Sequence, residues 1–263
     1  SSLFFLVFSR YIIGALILLV FIVIIRGNLK IPFSTIPYVF LSSICACILI
    51  TLTYHAVDYL DVGLVMLVLY CFPLGVAFIS YFRGKSKIVF VQWLSMVVLM
   101  LGLYLMLSSG DQVLNLYGLF ISFLGLLFFI AFIVTASDLS EQIGATTFNL
   151  YVSLLGIIFL TVGFILPLGF EMDLPLTKTG IFAIFANGVF YISSWVLFFK
   201  GASIIGATRS SMLACIEPLF AALLAIILLK QILSVTEWIG FFIVLTAIYT
   251  FEKNSAKPEV RST

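Results

Sequence analysis

Long apolar stretches follow one another along almost the whole chain, separated only by short polar connectors, and this pattern constrains the fold most. They are roughly Leu3–Ile25, Thr35–Tyr54, Gly63–Arg83, Val89–Leu107, Leu116–Ala136, Thr147–Leu168, Lys178–Lys200, Arg209–Leu229 and Val235–Phe251. Each is long enough to cross the ~30 Å hydrocarbon core of a bilayer as a helix rising 1.5 Å per residue. Backbone N–H and C=O groups in lipid need internal partners, so nine continuous transmembrane helices are expected. Connectors such as RGNLKIPFS, RGKSK and SSGDQVLN leave no room for a soluble domain. Charged residues are 9% of the chain, against about 25% in soluble domains. The expected class is an all-α integral membrane protein, with the lipid bilayer as its solvent.

Charge points to a sidedness. Arg26 and Lys30 lie in the first connector, Arg83, Lys85 and Lys87 in the third, Lys200 and Arg209 flank the seventh, and Lys253, Lys257 and Arg261 follow the last span. The alternate connectors hold Asp58 and Asp61, then Asp111, then Glu171 and Asp173, with only Lys178 and Lys230 as bases nearby. The positive-inside rule places the basic set, and with it the C-terminus, in the cytoplasm of a cell inner (plasma) membrane. The fifth connector, with Asp138 and Glu141, adds no support. A net charge of +2 without a polybasic cluster argues against a nucleic-acid partner. Cys45, Cys47, Cys71 and Cys215 sit inside apolar runs and read as packing residues. The single histidine, His55, cannot build a metal site, and no metal-ligand spacing or cofactor motif is present. Trp93 and Trp238 begin their spans and read as interface anchors.

The chain also resembles itself. Pro73 and Pro218, Lys85 and Lys230, Trp93 and Trp238, and Tyr104 and Tyr249 are each separated by 145 positions, without a gap. The spans obey the same shift. Residues 1–107 and 108–252 are therefore read as two repeats, with 253–263 as a cytoplasmic tail. The counterpart of Leu116–Ala136 would precede the first residue, which predicts ten helices in the complete protein, the first of them absent here. Five spans per repeat force the second copy to insert upside down, the inverted-repeat plan of many secondary transporters.

The strings LYCFPLGVAFISYFRGKSKIVFVQWLSMVVLMLGLYLML and LACIEPLFAALLAIILLKQILSVTEWIGFFIVLTAIYTF resemble the two halves of EamA-type members of the drug/metabolite transporter superfamily. FSRYIIGALILLVF is similar to that family's arginine-led second helix, and NLYGLFISFLGLLFFIAFIV to its sixth. The resemblance implies ten helices, five per half, and export or exchange of small metabolites through a central cavity. The Gly-Glu that often follows the ninth helix of that family is Lys230 and Gln231 here, so no role is carried over to it.

Glu217 and Pro218 stand alone as polar and helix-breaking residues within LACIEPLFAALLAIILL. Pro218 and Pro73 each withhold a helical hydrogen bond, and such breaks in membranes face protein or a wet cavity. A carboxylate at bilayer depth costs at least ~2.5 kcal/mol on insertion scales, which marks Glu217 as a functional candidate. Protonated in one access state and ionised in the other, it would couple protons to substrate; the alternative is a neutral, hydrogen-bonded residue that fixes packing. Arg10 either holds an anionic substrate, pairs with Glu217, or snorkels to the outer headgroups. Asn187, Tyr191 and Trp195 recur every four residues and share one helix face, suited either to a cavity wall or to close helix packing. Tyr70, one turn before Pro73, is a further cavity candidate.

These readings converge on a secondary transporter, an exporter or exchanger of small organic molecules by alternating access, with protons as the candidate coupling ion. GKS at Gly84–Ser86 lacks the glycine spacing of a phosphate-binding loop. A non-transporting or channel-like membrane protein is one alternative. An intramembrane enzyme is the other, and it lacks cooperating acid, base and nucleophile at bilayer depth, so the chain is read as no enzyme.

Overall fold

The computed structural model describes residues 3–107, 114–165 and 177–255. The expected loop acids Asp111, Glu171 and Asp173 and the tail bases Lys257 and Arg261 lie outside the described residues. Eleven helices are found among those described: α1 (Leu3–Ile24), α2 (Ile36–Val57), α3 (Val62–Leu69), α4 (Phe72–Phe82), α5 (Phe90–Leu107), α6 (Leu116–Ile143), α7 (Ala145–Ile165), α8 (Lys178–Ile205), α9 (Ala207–Ala214), α10 (Glu217–Leu229) and α11 (Val235–Lys253). They supply nine helical stretches long and apolar enough to cross a bilayer. The all-α transmembrane class therefore holds.

Two expected spans are not continuous. The stretch over Gly63–Arg83 divides into α3 and α4, and that over Arg209–Leu229 into α9 and α10. The cause is the proline at the second position of α4 and of α10, which has no N–H to offer the turn before it. Tyr70 (φ −68°, ψ −1°) and Cys71 (φ −72°, ψ −6°) shift ψ toward zero, at the edge of the helical region, and so do Cys215 (φ −67°, ψ 1°) and Ile216 (φ −74°, ψ −17°). The backbone tightens there to i→i+3 bonds, Cys71 N to Val68 O at 3.1 Å and Ile216 N to Leu213 O at 3.1 Å. Both breaks fall at positions separated by the same 145 residues as the sequence pairs.

Other helices outrun their apolar windows. α6 continues past Ala136 to Ile143 and α8 past Lys200 to Ile205. They stop where Gly144 (φ 85°) and Gly206 (φ 88°) adopt a backbone that disfavours a side chain. Polarity marks where such a helix leaves the membrane, whereas glycine marks where it ends.

The chain gathers into two compact units, Ser1–Ile48 with Thr135–Ser203, and Leu49–Val134 with Ile204–Thr263. In the first, α1 packs on α7, with Ala15, Leu18, Ile22, Leu150 and Ile192 forming a buried cluster. Tyr11 meets Gly156, while Thr147 Oγ1 donates to Asn28 O at 3.1 Å and Tyr151 donates to Leu29 O at 2.7 Å. Numbers rise on one side as they fall on the other, so the pair is antiparallel. In the second unit α5 packs on α11. Gly102 meets Val244, Gly240 meets Met106, and Gln92 Nε2 donates to Ser255 Oγ at 3.0 Å. This pair is antiparallel too. α1 with α7 and α5 with α11 are the helices that the 145-residue shift equates, and opposed packing of equivalent helices is what an inverted copy requires.

Candidate functional site

Glu217 opens α10, and the α9–α10 stretch runs from Ala207 to Leu229. At 1.5 Å per residue it lies about 15 Å from one end and about 18 Å from the other, near the middle of the span. Pro218 and Leu219 take the packed positions of this turn and Glu217, the residue before them, is exposed. The Tyr70 hydroxyl lies within electrostatic reach of its carboxylate. Tyr70 is the C-terminal cap of α3, at the other helix break, so the two candidates meet because both helices stop there.

Tyr70 also lines a cavity of about 300 Å³ inside the second unit, with Met66, Met106 and Pro218 among its walls. That volume is at the small end for a site holding a small molecule. The space exists because α10 presents alanines there: Ala221, Ala222 and Ala225 all line it. Gln231 and Glu237 bring polarity to its edge. Glu237 is already committed to a helix cap, accepting from Ser234 N at 2.6 Å while its own N–H donates to Ser234 Oγ at 3.3 Å.

Arg10, Asn187, Tyr191 and Trp195 belong to the first unit. The Arg10 guanidinium carbon lies 4.3 Å from the centre of the Tyr191 ring, so the side chain turns onto α8 as a cation–π contact. Tyr191 and Trp195 meet at 6.4 Å between ring centres, as their four-residue spacing predicts. Trp195 in turn stacks on Phe199 at 5.5 Å. Asn187, one turn ahead, is exposed and makes no side-chain hydrogen bond among the described residues. The aromatic face thus forms, without Asn187 in its contacts. Close crossings set it: a Cβ on Gly188 would lie 2.8 Å from Ile13, and one on Gly14 would lie 3.2 Å from Ile192.

A family model, the EamA-like transporter family, matches residues 1–108 and 116–251. The chain belongs to that family. Among curated proteins this EamA-like chain is similar to the uncharacterized inner membrane transporter YicL of Salmonella typhimurium, 34% identical over 61 residues. That match spans 23% of the EamA-like chain and 20% of the relative. A solved structure described only as the crystal structure of a protein superposes with a TM-score of 0.78. It covers 98% of this chain and 90% of the other at 13% identity, a likeness of fold alone.

Two features went unnoticed in the sequence. Tyr11 is 2% exposed and packs its ring edge-on to Tyr191 at 5.9 Å. The signal for it was its place beside Arg10 in FSRYIIG. Arg209 and Glu252 form a two-point ion pair between α9 and α11, Nε to Oε1 and Nη2 to Oε2. A charge at the start of one span and another near the end of the last carry no pairing signal until the helices are packed. Elsewhere His55 lies 3.5 Å from Asp58, with Tyr59 and Tyr117 edge-on to its ring, and no metal-binding group occurs among the described residues.

Proposed function

We propose that this chain is a secondary active transporter of the inner membrane that exports or exchanges small organic metabolites by alternating access, with Glu217 carrying the coupling proton. Family membership supports transport as the activity, and the inner-membrane assignment follows the description of YicL. The observation that carries the mechanism is the nearness of the Tyr70 hydroxyl to Glu217 where two helices break, with Tyr70 also lining the cavity.

In this reading, a hydrogen bond closed between the two reports the proton. An ionised carboxylate only accepts, so the Tyr70 hydrogen points at Glu217. A protonated carboxyl donates instead, and the Tyr70 hydroxyl then accepts and turns its own hydrogen elsewhere. Proton arrival at Glu217 thereby changes the polarity that Tyr70 presents to the cavity, and solute binding there shifts the proton affinity by the same coupling. The breaks at Tyr70–Cys71 and Cys215–Ile216 give α3, α4, α9 and α10 points at which to bend as access alternates.

Proteoliposomes with an entrapped pH dye test this reading against a panel of amino acids and organic acids. Solute-triggered, saturable proton movement is expected from the native chain and none from Glu217→Gln, with Tm retained. Undiminished proton movement in Glu217→Gln rules out the mechanism. A C-terminus in the cytoplasm is part of the proposal, and an impermeant label reacting at Ser255→Cys from the outer side alone contradicts it.

A further inference from the structure

Arg10 is a cation within a span, and two donors at its site have nothing to donate to. Arg10 Nε is buried without a hydrogen-bond partner. The Tyr11 hydroxyl, near that of Tyr191, is also buried and closes no hydrogen bond of normal geometry, on a side chain only 2% exposed. Buried donors are nearly always satisfied in folded proteins, so each orphan calls for an explanation. Two orphans side by side on α1, flanking the same Tyr191 ring, call for a shared one.

The cation–π contact does not supply it. A guanidinium carbon 4.3 Å from the centre of the Tyr191 ring is attracted electrostatically, and Nε still has no oxygen or nitrogen to donate to. No carboxylate pairs with Arg10 among the described residues. Tyr11 is held by packing alone: a Cβ on Gly156 would lie 2.9 Å from its ring carbons, so the absence of that atom is what lets the ring sit there. The hydroxyl is within electrostatic reach of Arg10. Arg10, Tyr191 and Trp195 are only half-buried, which leaves the cluster an open side.

We infer that Arg10, Tyr11 and Tyr191 form the binding site for the carboxylate of a singly charged organic acid. This rests on the transport reading and names its substrate class. One carboxylate oxygen accepts from Arg10 Nε and the other from the Tyr11 hydroxyl, while the Tyr191 ring holds the guanidinium in place. A single cation neutralises a single negative charge. A phosphate monoester carries nearly two at neutral pH and would leave one unpaired in a medium of low dielectric. A cationic solute meets repulsion, and an uncharged one leaves Arg10 unneutralised.

The test is equilibrium binding, with no gradient imposed. The purified full chain in lipid nanodiscs is melted with benzoate or butyrate at pH 7, with benzamide and butyramide as uncharged counterparts and with inorganic phosphate. The two acids are expected to raise Tm in a saturable way and the amides to leave it unchanged. Arg10→Gln is expected to abolish the shift, and Tyr11→Phe to weaken binding roughly tenfold through one lost charge-assisted hydrogen bond. Amides that stabilise as well as the acids, or an Arg10→Gln protein that still responds to the acids, overturn the inference. Phosphate acting more strongly than either acid overturns the assignment to a single charge. Should Arg10→Gln not fold, the acid-against-amide comparison on the native chain decides. Acids that bind but are never taken up by proteoliposomes sink the transport reading and leave this site standing. Uptake of uncharged solutes without acid binding does the reverse.

Discussion

Gly240 sets the closest approach of α5 and α11, and adding one carbon there should measurably weaken the fold. A Cβ at Gly240 would lie 2.6 Å from the Gly102 carbonyl oxygen, 2.8 Å from Met106 N and 3.1 Å from Leu105 Cβ. The first two are backbone atoms and cannot rotate aside. Ordinary contact begins at 3.4 Å, so Gly240→Ala must part the helices by the difference between 3.4 and 2.6 Å, about 0.8 Å. A gap of that size forfeits roughly a quarter to a half of each dispersion contact along the seam. Membrane helices associate chiefly through such packing, so the cost belongs toward the top of the overpacking range, about 3 kcal/mol. At about 2–4 °C per kcal/mol for a chain of this size, Tm should fall by roughly 6–12 °C. Thermal unfolding in detergent, followed by intrinsic fluorescence, measures it. Gly125→Ala is the control, because its nearest neighbours, Leu52 Cβ at 3.6 Å and Leu69 Cδ2 at 3.8 Å, are already at ordinary contact. If Gly240→Ala melts with Gly125→Ala, the opposed α5–α11 seam is not what holds this unit together.

Tyr70→Phe keeps the ring on the cavity wall and removes the hydroxyl beside Glu217, so under the proposed mechanism solute-triggered proton movement should drop about tenfold while Tm changes little. Arg209→Met leaves the half-buried Glu252 without its partner and should destabilise by about 1–3 kcal/mol in chemical unfolding. Arg209→Met with Glu252→Met should recover most of that loss, since no charge is then stranded. Phe72→Glu places an acid at a position 3% exposed against the Phe129 ring and should yield less folded protein in size-exclusion profiles than the native chain.

The membrane class was plain in the sequence because lipid demands long apolar runs, and Pro73 and Pro218 announced where two of them would break. The true ends of α6 and α8 were hidden, since Gly144 and Gly206 lie beyond the apolar windows that define a span. Glu217 and Tyr70 each stood out locally, but their meeting depends on two helices, far apart in sequence, stopping at the same place. The exposure of Glu217 was illegible for a related reason: rotation about α10 follows from which neighbours Pro218 and Leu219 find. Arg10 left three destinations open, and only the packing of α1 on α8 brings it to Tyr191. Tyr11 looked like any aromatic residue in an apolar run until Gly156 made room for its ring.

The two helix breaks also say what duplication supplies and what it does not. Tyr70, Cys71, Phe72 and Pro73 correspond under the shift to Cys215, Ile216, Glu217 and Pro218, and the turn residues at both breaks hold ψ near zero. The backbone at the two breaks is therefore alike, while the side chains are not. Phe72 is buried against Phe129, with ring centres 4.5 Å apart, whereas Glu217 is exposed and lies near the Tyr70 hydroxyl. Cys215 stands where a second phenol would be, and Phe72 where a second acid would be. Equivalent breaks could have carried two acid–phenol pairs, and the sequence provides one, with its phenol from the first half and its acid from the second. A symmetric pair would give two proton sites with opposite access. Under the proposed mechanism the single pair gives one proton site, so the chemistry would lie in what has diverged between the halves.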